Sequence, residues 1–224
     1  MNFTIEHGPV YASLRVDMNQ GERFRAEPGA MLSMSQSIEL ETTSAGKGLF
    51  GTLKAAVGGE SIFASIFTAV HGPGELLLAP STPGDIMRLD LTGETILAYG
   101  GAYLAGDPDL SLSARGSLKG LVAGSDLFLS VISGRGPLFL NGFGAIYSRT
   151  LRPGEGYIVD TGHIVAFTDG MHYSIKTASR GLFSSFASGE GLVCLFTGPG
   201  TLWMQTRNVR HFAQSLIPFL PSRG

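Results

Sequence analysis

A glycine-punctuated pattern that returns at a near-constant interval constrains this chain more than any other feature. Residues 181–207 read GLFSSFASGEGLVCLFTGPGTLWMQTR, and imperfect copies lie at residues 47–80 and 116–141. Each copy runs from a short apolar loop or helical turn through a glycine turn into bulky apolar residues, then through a second glycine turn into another apolar run. Gly59, Gly124 and Gly189 stand 65 residues apart, and Gly72, Gly134 and Gly198 are spaced by 62 and 64. A third marker, Pro28-Gly29, Thr92-Gly93 and Pro153-Gly154, places its glycines 64 and 61 apart. Three markers keeping step through three copies point to duplicated structural units. The units span residues 1–83, 84–143 and 144–207, followed by a tail over 208–224. A unit of about 60 residues buries only ~60% of its unfolded surface and is marginal alone. Three units without linkers should therefore pack as one body, with a pseudo-threefold arrangement the simplest closed solution.

Hydropathy inside the units alternates with the period of two that marks a half-buried strand. Val10, Ala12, Leu14 and Val16 share one face against Tyr11, Ser13 and Arg15; Ile38 and Leu40 oppose Glu39 and Glu41; Met87, Leu89 and Leu91 oppose Arg88 and Asp90. Short strands separated by Gly, Pro, Asn and Asp continue to Gln205 and favour antiparallel sandwiches over strand–helix units. The fold class expected is all-β: three internally repeated antiparallel β-sandwich units with a short C-terminal helix. Asn208 is the N-cap of that helix, Val209, Phe212, Ala213, Leu216 and Ile217 form its apolar face, and Pro218 stops it. The helix either closes the domain or docks onto a second subunit, and Phe219 and Leu220 add apolar surface that favours a homo-oligomer.

The loops that open each copy carry a second set of apolar residues: Leu49, Phe50 and Leu53 correspond to Leu182, Phe183 and Phe186. Such loops either meet near the pseudo-axis or form exposed tips for a partner. The candidate contact residues are accordingly Leu49, Phe50, Leu182, Phe183, Phe186, Phe212, Leu216, Phe219 and Leu220.

The chain offers little for chemistry. No G-x-S-x-G, H-E-x-x-H or G-x-x-x-x-G-K-[ST] motif occurs, and no G-x-G-x-x-G opens a helix after a strand. The five histidines include no pair at metal-ligand spacing, although His163 and His172 stand where a hairpin would bring them together. Glu60 and Glu190, with Ser125 and Asp126 in the middle copy, sit at equivalent turn positions that a threefold would hold far apart, which suits turn stabilisation better than acid–base work. The lone cysteine, Cys194, lies in the apolar run from Leu192 to Phe196 and reads as a buried thiol. With 16 basic and 18 acidic residues scattered singly, the chain lacks the clustered basic face on which phosphate binding depends. Apolar runs fall short of the ~18 residues of a spanning helix, and no signal-peptide pattern opens the chain, so a cytoplasmic protein is expected. No enzymatic activity, cofactor or metal is expected, and nucleic acid is not the expected partner.

Several motifs together resemble a known family: EPGAMLSMS (27–35), GGESIF (58–63), GLFSSFASGEGLV (181–193), GPGTLWMQTRN (198–208) and IPFLPSR (217–223). They look like the TRAP-like proteins of the altered-inheritance-of-mitochondria type. That resemblance implies a fold similar to the tryptophan RNA-binding attenuation protein, repeated three times in one chain and assembling as an oligomer. It carries no catalytic residues across. Neither the basic rim nor the tryptophan-contacting pattern of the attenuation protein is present, and fold similarity alone does not transfer function. The reading that follows is a non-enzymatic binding or scaffolding protein acting through oligomer and partner or membrane-surface contacts. Its alternative is RNA or nucleotide binding by the TRAP-like surface.

Overall fold

The computed structural model describes residues 1–42, 64–115, 129–177 and 192–221. Within them the chain forms strands β1 (Asn2–Glu6), β2 (Ser13–Met18), β3 (Arg23–Ala26), β4 (Met31–Met34), β5 (Ile38–Thr42), β6 (Ser65–Ala69) and β7 (Gly74–Leu78). There follow β8 (Gly84–Tyr99), β9 (Tyr103–Gly106), β10 (Ser111–Arg115), β11 (Leu129–Phe143), β12 (Ile146–Leu151) and β13 (Gly156–Asp160). The last strands are β14 (Ile164–Thr168), β15 (His172–Thr177), β16 (Leu192–Thr197) and β17 (Gly200–Gln205), and helix α1 (Val209–Leu216) ends the order with a 3₁₀ turn at Ile217–Phe219. Among the described residues the protein is mostly β, in several antiparallel sheets with one short C-terminal helix.

The strands form a four-stranded sheet in the order β1-β2-β7-β4, a three-stranded sheet β13-β16-β15, and a ten-stranded sheet β12-β17-β14-β8-β11-β9-β3-β6-β5 to which β10 adds by pairing with β11. One pairing scheme occurs in three successive stretches of chain. The strands after the long loops pair with those before them as β6 with β3 and β5, β11 with β8 and β10, and β16 with β13 and β15. The last strand of each stretch pairs as β7 with β2 and β4, β11 with β8 and β9, and β17 with β12 and β14. In the middle stretch one long strand does the work of two in each case.

That long pair corrects the expectation of short strands split by glycine turns. Gly93 and Gly134 lie inside β8 and β11, at φ 131° and 124°, where the register jumps between Ser133 and Arg135. Both strands bend together there, and glycine admits the positive φ such an irregularity demands. The Pro28-Gly29 marker is also out of step. Gly29 follows β3, whereas Gly93 lies midway along β8 and Gly154 follows β12; Gly21, at φ 85° between β2 and β3, holds the matching place.

Among the described residues the core falls into three clusters. The first joins Leu14, Val16, Leu76 and Leu78 of the four-stranded sheet to Phe24, Phe67, Leu104 and Phe139 of the ten-stranded sheet. Phe3 packs between the rings of Phe24 and Phe139, with centroids 5.3 and 5.1 Å away. The second gathers Leu151, Phe167 and Leu202 of the large sheet with Val159, Cys194 and Phe196 of the small one. The third holds Leu91, Ile96, Ile132, Leu138 and Val165. Met87 and Leu89 pack on that third cluster beside Leu91 while Arg88 and Asp90 are exposed, as the alternation indicated. Ala12, Leu14 and Val16 are buried as expected, but Val10 precedes the strand and is exposed, and Leu40 is only partly covered on the edge strand β5.

Cys194 is fully buried, and burial pushes its thiol up to about 12. Native protein should therefore resist iodoacetamide at about pH 8.5, the ordinary thiol pKa, and react only once unfolded, as followed by mass spectrometry. Phe139 is also fully buried against two other rings. Phe139→Ala should lower the unfolding free energy by about 3–5 kcal/mol in urea titration; a loss below about 1 kcal/mol would mean the first cluster does not depend on this ring.

Candidate interaction surface

Of the residues expected to make contacts, Leu49, Phe50, Leu182, Phe183 and Phe186 lie outside the described residues, as do Leu53, Glu60, Ser125, Asp126 and Glu190. Phe212, Leu216, Phe219 and Leu220 all fall on the C-terminal tail, which is built from a single anchored cap. Asn208 is buried, and its Oδ1 accepts hydrogen bonds from the backbone N–H groups of Arg210 (2.9 Å) and His211 (3.4 Å). The amide packs so closely on Gly162 that a Cβ there would displace it from the cap. The cap satisfies two of the four N–H groups that open a helix, and α1 starts where the sequence indicates.

Closure of the domain by this helix is not what the fold adopts. No residue of α1 is buried, and the tail ends in a 3₁₀ turn that incorporates Pro218. Phe212 meets Phe143 edge-on at 5.2 Å yet is 50% exposed, and Phe219 is 84% exposed. Leu216, Ile217 and Leu220 are exposed as well. None of the three core clusters includes a residue of the helix. Arg210, His211, Gln214 and Ser215 alternate with the apolar residues to give a second, polar face. From Leu192 to Gly224 there is no Asp or Glu, while Arg207, Arg210 and Arg223 are basic. The tail is thus an amphipathic, cationic segment held at one end.

A second exposed apolar area lies on β4. Its residues Met31, Leu32, Ser33 and Met34 are all exposed, as is Ile158 of β13. Sequence reading assigned neither strand a contact role. MLSM is apolar on both faces, a pattern that marks a strand covered on both sides and cannot say whether the cover is supplied.

The polar groups form no reactive constellation. Arg25 is buried between β3 and β9, and its guanidinium donates to the Leu110 carbonyl (2.5 Å), the Asp107 carbonyl (3.4 Å) and Tyr103 Oη (3.3 Å). Burial raises the Tyr103 phenol above its ordinary value and does the same to the half-buried Glu27 carboxyl. Carbonyl oxygens occupy the guanidinium, so the cluster ties two strands together. His163 faces the Gln205 carbonyl at 2.8 Å, while His172 begins β15 in the small sheet. Eight residues separate them along the chain, five of them in β14, and β14 pairs with β17 and β8 while β15 pairs with β16, so no β14–β15 hairpin joins the two histidines. Among the described residues no group of three His, Cys, Asp or Glu side chains is placed to hold a metal ion, and no helix is long and apolar enough to cross a membrane.

Comparison with known proteins covers almost the whole chain. A crystal structure of a Streptococcus pyogenes protein superposes with a TM-score of 0.79 at 31% identity, covering 98% of this chain and 99% of that one. An uncharacterised protein of Streptococcus pyogenes serotype M6 is 32% identical over 231 residues, 99% of this chain and 92% of its own length. The family model described as mitochondrial biogenesis AIM24 matches residues 3–207, which leaves the capped tail outside the match. The chain belongs to the AIM24 family.

Proposed function

We propose that this protein is a non-enzymatic scaffold that works by contact, its C-terminal tail laid on an anionic membrane surface and its body joined to other copies. The observation that carries the reading is the tail itself: six large apolar side chains exposed on a capped segment whose charged side chains are all basic. A helix with an apolar face, a basic polar face and low net hydrophobicity lies in the plane of the lipid headgroups. Each Phe or Leu side chain fully withdrawn from water contributes about 1.5–3 kcal/mol. One short tail therefore binds weakly and reversibly, and several tails on one assembly bind far more tightly.

The body suits a scaffold. The recurrent strand pairing supports three TRAP-like sandwich units about a pseudo-threefold axis, the architecture expected from the glycine pattern. The surface arginines Arg15, Arg88 and Arg149 are each engaged by a carboxylate, Glu6, Asp90 and Glu155 respectively. Those pairings favour a lipid or protein contact for the tail over a phosphate-reading face on the sheets.

Sedimentation with vesicles of phosphatidylcholine, with and without phosphatidylglycerol, tests the reading. The full chain should pellet with the anionic vesicles at low salt and be released as salt rises. A chain ending at Arg207, and full-length Phe219→Asp, should stay in the supernatant while keeping the native circular dichroism spectrum. Equal pelleting of the full and shortened chains, or failure of the full chain to bind, would overturn it.

A further inference from the structure

We propose that the loop between β1 and β2, through Val10 and Tyr11, is a second element of the lipid contact, so that the body meets an anionic membrane by one defined end. This role rests on the membrane reading of the tail and goes beyond it, because it sets which end of the body faces the lipid.

Three chain entries meet at that end. Ala12 precedes β2, Gly84 opens β8 and Gly144 precedes β12. The Ala12 N–H donates to the Gly84 carbonyl (2.8 Å), the Asp85 N–H to the Gly144 carbonyl (3.0 Å), and the Gly144 N–H to the Pro83 carbonyl (3.0 Å). The tail leaves from the same place, since the Arg207 N–H donates to the Phe143 carbonyl (3.1 Å) and the Ala145 N–H to the Thr206 hydroxyl (3.0 Å). Glycine makes this approach possible: a Cβ on Gly84 would strike the Gly142 carbonyl, and one on Gly144 would strike the side chains of Thr206 and Arg207. The backbones of Gly84 and Gly144 thus stand between the loop and the root of the tail. Helix α1 is held here as well, with Phe212 edge-on to Phe143.

The loop presents apolar side chains that the body does not bury. Ala12 belongs to the first core cluster, while Val10 is 48% and Tyr11 73% exposed. The tip is a formed turn: His7 holds φ 60°, a left-handed value uncommon outside glycine, and the Tyr11 N–H closes back on the His7 carbonyl (3.4 Å). The charges around it suit an anionic surface. Arg207 and Arg210 are at the root of the tail, whereas the carboxylates beside the loop are engaged within the body. Asp85, next to Gly8, accepts from the Ile86 N–H (2.9 Å) on Oδ1 and from the Ile146 N–H (3.2 Å) on Oδ2, and Glu6 is paired with Arg15 (2.9 Å). Tyrosine, with an apolar ring and a polar hydroxyl, settles at the level of the lipid headgroups, and Val10 beside it adds aliphatic area to withdraw from water. Once the tail lies on the bilayer, the loop is tethered within short reach of it, so its entry needs no separate encounter.

Fluorescence of the full chain with phosphatidylcholine–phosphatidylglycerol vesicles tests this. Native Cys194 is buried, so a cysteine introduced on the surface takes a thiol-reactive NBD fluorophore alone. Val10→Cys carries the probe on the loop; Thr92→Cys carries it at an exposed position eight residues beyond Gly84 in β8, about 27 Å along the strand. The probe at 10 should brighten and shift to the blue on vesicle binding, and the probe at 92 should not. Tyr11→Asp should weaken vesicle binding about tenfold with native circular dichroism, since the position is exposed, while Tyr11→Trp should bind at least as tightly as wild type. If the chain binds vesicles while the probe at 10 keeps its emission in water, or Tyr11→Asp binds like wild type, the loop takes no part and the tail acts alone. An equal shift at 92 would mean that no defined end faces the lipid, and a blue shift at 10 on concentrating the protein without vesicles would mean that a second copy covers the loop; either overturns the proposal. A full chain that binds no vesicles overturns it together with the role of the tail.

Discussion

An exposed strand edge needs a partner, and most of this architecture follows from how that need is met. In each stretch one strand, β4, β9 or β14, pairs with its own stretch along a single edge among the described residues. Two seams follow, β9 lying against β3 of the stretch before it and β14 against β8. A register slip in each carries an apolar side chain, Leu104 or Val165, into the neighbouring core. Backbone hydrogen bonding and side-chain burial are thus satisfied at the same place, which is why units too small to be stable alone hold together without linkers. Arg25 fits the same logic. It lies in the first seam at the position that Leu97 occupies in the second, and carbonyl oxygens substitute for the apolar cover that a leucine finds there.

Seen this way, the exposed residues of β4 and β13 and those of the tail have different origins. The first stand at positions whose counterparts in the other stretches are core residues, covered there by a following stretch. The tail occupies the place in the chain where such a stretch would begin, since β17 runs into Asn208 where β7 and β11 run on toward β8 and β12. Its amphipathic sequence makes a surface of its own.

Much of this was legible in the residues. Period-two hydropathy located β2 and the first half of β8, Asn208 marked the helix start, and the apolar surroundings of Cys194 foretold an inert thiol. The failures share a cause. Gly93 and Gly134 read as turns, because a glycine between apolar runs looks the same whether the chain reverses or merely bends; cross-strand register decides, and it lies far away in sequence. The tail read as either closing the domain or docking onto a second subunit, because amphipathicity says that a face will be covered without saying by what. The MLSM strand concealed its exposure for the reason that a strand apolar on both sides reads as covered on both. Local pattern reports what a residue is suited to, and pairing between distant strands determines whether it is fulfilled.

Hydrogen exchange measured by mass spectrometry tests the seams most directly. Peptides covering β9 and β14 should be as protected as those covering β11, which is paired along both edges, while a peptide covering α1 should exchange fast. If β9 and β14 exchanged as fast as α1, the seams would not be what holds the stretches of chain together.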